Sequence, residues 1–105
     1  MLESAFQAHL VRRLKDMFPG CFVLKNDANL RQGIPDLLIL FNDRWAMLEV
    51  KQKADSRQQP NQEYYVELFN EMSFAAFIFP ENEEDVLNDL QHAFTARRPT
   101  RIPRR

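Results

Sequence analysis

The stretch from Gly33 to Lys51, GIPDLLILFNDRWAMLEVK, constrains this chain more than any other. Residues 36–41 are continuously apolar after their leading carboxylate, the pattern of a strand buried on both faces. Residues 44–51 form a second strand ending in Glu49-Val50-Lys51, and Asn42-Asp43 supply a polar turn between the two. A two-residue loop pairs Phe41 with Arg44 and, further along the ladder, Asp36 with Glu49. Opposed side chains share a face with Cβ atoms roughly 4.5–5.5 Å apart. Lys51, two residues past Glu49, falls on that face as well. A four-residue loop keeps this register and a three-residue loop breaks it.

The flanking sequence predicts what the hairpin packs against. Leu2, Phe6, Leu10, Leu14 and Met17 recur at helical spacing over residues 2–18, and Pro19-Gly20 ends the helix. Glu3 falls within that apolar arc. It either complements the helix dipole in the first turn and frays into water or reaches across the core surface into a charged site. Residues 21–25 read as a first strand, and 26–35 as a polar loop in which Gly33 permits unusual backbone angles. After a polar connection over 52–59, Pro60 suits the first turn of a helix whose apolar face is Tyr65, Leu68, Phe69 and Met72, with Gln62 on its flank. Residues 73–79, SFAAFIF, read as a fully buried strand. Asn82 then reads as the N-cap of a final helix carrying Val86, Leu87, Leu90 and Phe94. The order is helix, three strands, helix, strand, helix. The strand–helix–strand crossover requires a parallel pair, so the class is α/β with a mixed sheet and a C-terminal helix.

Length and composition bound the rest. The 105 residues suit one domain, residues 1–96, with a basic tail over 97–105. That tail, RRPTRIPRR, has five arginines and no acid, leaving nine basic and fifteen acidic side chains on the body, a balance of −6. The tail suits either an anionic partner or a solubilising role. No apolar run approaches a membrane span, the N-terminus does not read as a signal peptide, and the single cysteine, Cys21, suits a reducing, intracellular setting. His9 and His92 read as isolated helix-flank residues, Arg12, Arg13 and Lys15 as a solvated face, and Trp45, Tyr64 and Tyr65 as packing rather than base-stacking residues.

Two close carboxylates repel at neutral pH unless a cation or a shared proton neutralises them. Oxygen ligands of this kind suit Mg²⁺ or Mn²⁺, and a nearby lysine can orient a water or stabilise developing negative charge. Asp36, Glu49 and Lys51 are thus equipment for hydrolysing a phosphodiester. Without a metal the same residues are an ordinary charged hairpin with an ion pair worth well under ~1 kcal/mol.

At these residues the chain resembles the PD-(D/E)XK nuclease superfamily. Pro35-Asp36 matches the PD half of its motif and Glu49-Val50-Lys51 the EXK half. The inferred order is similar to the superfamily's restriction-endonuclease-like αβββαβ core. Glu3 sits where many members carry a first-helix acid. Gln62 sits where the VRR-NUC group (virus-type replication–repair nucleases) and Holliday-junction resolvases carry a polar residue. GIPDLLIL and LEVK are especially similar to the VRR-NUC pattern, and the likeness covers residues 3–79. The chain departs from that group after Lys51, where Gln52-Lys53-Ala54-Asp55-Ser56-Arg57 replaces a Gly-Pro-type turn and an Asp-Arg-Leu element.

The resemblance implies that Asp36, Glu49 and the backbone carbonyl of Val50 hold Mg²⁺ or Mn²⁺. It implies that Lys51 positions the attacking water and stabilises the transition state. Glu3 would serve a second metal, directly or through water, and Gln62 would orient Lys51 or the scissile phosphate. The implied protein is an endonuclease acting on DNA, most naturally a Holliday junction or other branched form, as a homodimer, leaving 5′-phosphate ends. Lys25, Arg31, Lys53, Arg57, Arg97 and Arg98 are the cations expected to meet the DNA backbone. Two alternatives stand beside this: a nuclease subunit that depends on a partner for substrate choice, and a non-catalytic DNA-binding module of the same fold.

Overall fold

In the computed structural model, which describes residues 2–96, the hairpin closes in two residues as its polar break requires. Asn42 takes the left-handed conformation, φ 56°, which asparagine tolerates better than most residues. The elements follow in the order α1 (Glu3–Met17), β1 (Phe22–Lys25), β2 (Leu37–Phe41), β3 (Arg44–Val50), α2 (Gln62–Met72), β4 (Ala75–Ile78), a single 3₁₀ turn (Pro80–Asn82) and α3 (Glu83–Thr95). This is the expected αβββαβ core with a C-terminal helix. The four-stranded sheet runs β1-β2-β3-β4, antiparallel except for the β3–β4 pair, which is parallel across the α2 crossover.

Side-chain alternation divides the sheet. Leu37, Ile39, Ala46, Leu48, Val50 and Ile78 point to one face and are buried there with Phe6, Leu10 and Leu14 of α1 and Val86, Leu87, Leu90 and Phe94 of α3. Phe18, Phe41 and Phe94 close this core with ring centroids 5.0–5.7 Å apart. On the other face α2 packs over β3 and β4, where Phe69 meets Trp45 edge-to-face at 6.2 Å. Because α2 covers only that half of the second face, β2 is not buried on both sides as its apolar run suggested. Leu40 is partly exposed, and with Phe22 and Leu24 of the edge strand β1 it forms an uncovered apolar strip.

Several expectations are corrected in detail. Leu2 precedes the first helical turn and projects into solvent, so the stripe of α1 is Phe6, Leu10 and Leu14. Pro60 lies two residues ahead of α2; Asn61 at φ 70° makes the entry and Gln62 is the first helical residue. Over 73–79 only Ala75 and Ile78 are buried, because β4 is an edge strand and Phe77 and Phe79 face partly open space. Asn82 precedes α3 but does not cap it: its Oδ1 accepts from the Phe79 N–H at 2.8 Å and its amide donates to the Phe77 carbonyl at 3.1 Å. Neither His9 nor Arg13 is free. His9 Nε2 lies 2.7 Å from Glu83, and Arg13 contacts Glu83 at 2.6 Å and bonds both oxygens of Glu84, so this cluster ties α1 to α3. The 97–105 tail lies outside the described residues. Among the described residues no helix is long and apolar enough to cross a membrane.

Candidate metal centre

The β2–β3 ladder ends at Leu37 opposite Leu48, and the next step outward brings Asp36 and Glu49 together. Asp36 Oδ2 accepts the backbone N–H of Val50 at 2.9 Å, which fixes the carboxylate against the end of β3. In an extended strand a residue's N–H and C=O leave on the same side, so the Val50 carbonyl is directed toward Asp36 as well. Asn26 holds the other flank: its backbone N–H donates to the Asp36 carbonyl at 2.9 Å and its side-chain amide to the Pro35 carbonyl at 2.8 Å.

Glu49 is only 3% exposed and Lys51 only 7%. Buried charges are costly unless partnered, and here one amide partners both. Gln62 Nε2 donates to Glu49 Oε2 at 2.8 Å, and Gln62 Oε1 accepts from Lys51 Nζ at 2.6 Å. Oε1 also accepts the Gln59 N–H at 2.8 Å. A flipped amide would set its N–H groups against two donors, so the network assigns its orientation. Lys51 Nζ donates in addition to the Arg57 carbonyl at 3.1 Å and stands 3.8 Å from Glu49 Oε2. Two of its three N–H donors are thereby used, leaving one for a water or a phosphate oxygen.

Gly33 sets the position of Gln62. At φ 89° it abuts the turn before α2, and a Cβ there would lie 2.6 Å from the Asn61 Cβ and 2.7 Å from the Pro60 carbonyl oxygen. The loop that presents Asp36 and the turn that presents Gln62 therefore pack backbone to backbone.

The donor set fits a hard divalent cation. Burial, foremost, and then the negative charge of Asp36 push the Glu49 carboxyl up to about 8, against the downward pull of Lys51; a hydrogen bond to Asp36, which two carboxyl groups make only by sharing a proton, and the charge of Glu3 add smaller upward pushes. Glu49 Oε1 is buried with no hydrogen-bond partner. A buried oxygen left unmatched beside a second carboxylate is what a cation would satisfy. Glu3 itself is exposed at the start of α1. Among the described residues no three His, Cys, Asp or Glu side chains converge. The ligand set in reach is thus two carboxylates and one carbonyl, with Glu3 at the margin.

No family model, curated protein or solved structure matches the chain.

The other expected contacts are scattered. Arg57 is exposed in the loop before α2, and Lys53 is exposed and 4.0 Å from Asp55. Arg31 bonds the Tyr65 hydroxyl at 3.1 Å, above α2. Lys25 pairs with Leu37 in the ladder and so belongs by alternation to the α1–α3 face, away from Asp36. Arg97 and Arg98 lie outside the described residues. Sequence reasoning missed Asn26, whose clamp on Pro35-Asp36 is long-range, and the backbone groups of Gln59 and Arg57, which side-chain chemistry does not advertise.

Proposed function

We propose that this chain is a metal-dependent nuclease of the PD-(D/E)XK type that hydrolyses phosphodiester bonds in DNA. The observation that carries the reading is the buried Glu49–Gln62–Lys51 bridge beside Asp36, with one Glu49 oxygen unmatched. A structural ion pair has no need of a second carboxylate that raises the first one's proton affinity.

Asp36, Glu49 and the Val50 carbonyl would hold Mg²⁺ or Mn²⁺, with Glu3 acting through water. The cation supplies Lewis acidity toward a phosphoryl oxygen and makes a nearby water more acidic. Lys51, aimed by Gln62 and the Arg57 carbonyl, offers its remaining N–H to the attacking water or to a non-bridging oxygen. Burial of Glu49 and Lys51 keeps these electrostatics from being screened by solvent. The 3′ oxygen leaves and the other fragment keeps its 5′-phosphate.

The proposed substrate is branched DNA, a Holliday junction first, recognised through phosphate contacts. The proposed assembly is a homodimer, supported by the uncovered strip of Phe22, Leu24 and Leu40. A nuclease subunit that takes its substrate choice from a partner protein is the second reading, favoured by the −6 balance of residues 1–96.

The test is incubation with four-way junction, flap, nicked and linear DNA in Mg²⁺, Mn²⁺ or EDTA. Junction cleavage that needs metal and is lost in Asp36→Ala and Lys51→Ala is the expected result. DNA binding without cleavage would leave a non-catalytic module, and equal cutting of all four would remove the junction preference alone.

A further inference from the structure

Beside the candidate metal centre lies a cavity of about 140 Å³ lined by Lys51, Ala54, Ser56, Gln58, Phe77 and Phe79. Its place follows from register. Phe77 pairs with Glu49 across the parallel β3–β4 ladder, so the two side chains share a face, and Phe79 follows two residues on in extended backbone. Both rings are half-buried and stand apart from the hydrophobic core, and neither stacks on another ring among the described residues. The walls are aromatic. The rim is polar: Ser56 Oγ, which accepts the Lys53 N–H at 3.0 Å and keeps its own proton to donate, the Gln58 amide, and the Lys51 ammonium. A second, larger hollow of about 460 Å³ adjoins it through Gln58 and carries the exposed cation Arg57, the exposed acid Glu63 and the exposed ring of Tyr64.

We propose that this slot takes one unpaired nucleobase of the DNA strand whose phosphate is held at Lys51. The inference rests on the nuclease reading and names what that site selects. A cavity of about 150 Å³ is known to hold a single benzene ring, so this one accommodates a six-membered base, a pyrimidine, with a purine protruding. Aromatic faces bind bases through stacking without regard to sequence, and the polar rim meets the base edge. A base stacked within a continuous duplex cannot enter. The site therefore acts where the nucleotide beside the scissile phosphate is already unpaired or cheaply extruded, as at a flap or a branch point.

The test reads binding and cleavage separately. Wild-type protein in EDTA is titrated with a fluorescent flap DNA bearing an oligothymidine arm, and with a ladder of the same DNA carrying one abasic site at each position around the branch. The expected result is a loss of about tenfold in affinity at one position only. In a Phe79→Leu background, which keeps apolar volume and removes the ring, the intact flap binds correspondingly weaker and the abasic site at that position becomes silent. A uniform ladder, additive effects of base removal and Phe79→Leu, or no DNA binding overturns the slot. The wild-type ladder needs no variant to fold. Cleavage in Mg²⁺ is scored independently: a position-specific ladder with no cleavage sustains the slot and removes the nuclease reading, and cleavage with a uniform ladder does the reverse.

Discussion

Gln62 Nε2 donates to Glu49 Oε2 at 2.8 Å, across the join between the first turn of α2 and the end of β3. Through its other amide atom the same side chain accepts from Lys51, so one neutral residue holds a carboxyl and an ammonium apart and aimed. The two groups are ion-paired only loosely, at 3.8 Å, and keep capacity for other partners.

Replacing Gln62 by leucine leaves both groups buried without their amide. The expected cost is about 1–3 kcal/mol of stability, the penalty for an unsatisfied buried polar group, read from urea unfolding. Cleavage is expected to fall more than stability explains, because Lys51 loses its aim. Gln62→Leu protein that cuts at the wild-type rate while folded would show that the bridge has no part in catalysis.

The raised proton affinity of Glu49 has a signed consequence. Its carboxyl titrates near 4.5 in the unfolded chain and about 8 in the folded one. Between these values the folded state binds the extra proton, so its contribution to stability is present below the unfolded value and is lost as pH rises toward 8. The slope approaches ~1.4 kcal/mol per pH unit inside that window. Urea unfolding in EDTA from pH 5 to 8.5 should show it, and Glu49→Gln should flatten it. Added Mg²⁺ or Mn²⁺ must displace the proton, so its stabilising effect should grow with pH and vanish in Glu49→Gln.

Gly33 and Gly20 have nearly the same backbone angle, φ 89° and 86°, but different surroundings. Gly20→Ala meets nothing and should cost about 1–2 kcal/mol for the left-handed conformation alone. Gly33→Ala adds a collision with the Pro60-Asn61 backbone and should cost more, and it should impair cleavage because that turn carries Gln62. Thermal melts of the two variants with a cleavage assay separate the effects; equal costs would mean the loop moves aside freely.

Phe22 is the most exposed residue of the apolar strip, at 66%. Phe22→Asp should convert a homodimer to a monomer in light scattering and lower the melting temperature only by the concentration-dependent part that dimerisation adds, since the ring is not in the core. A monomeric wild-type chain at micromolar concentration would remove the dimer from the proposal.

Much of the fold was legible because it rests on local periodicity. The stripe of α1, the apolar run of β2 and the two-residue turn at Asn42-Asp43 are properties of neighbouring residues, and the turn alone determines that Asp36 faces Glu49. Where burial or partnership was misread, a distant element was responsible. Leu40 and Phe77 look buried in their own runs, but α2 covers only the β3–β4 half of the second face and β4 is an edge strand. His9 and Arg13 look solvated in α1, yet α3 brings Glu83 and Glu84 to them.

The sequence by itself determined the hairpin, its register and the pair of acids with a lysine on one face, because strand alternation and turn length are local rules. Only the tertiary structure decided that Glu49 and Lys51 are buried, that Gln62 joins them, that Glu3 stays at the edge and that Phe77 and Phe79 open a slot beside them. Those outcomes depend on how α2 seats against β3 and β4 through Gly33 and Pro60. Burial and hydrogen-bond partnership are properties of surfaces brought together from distant parts of the chain.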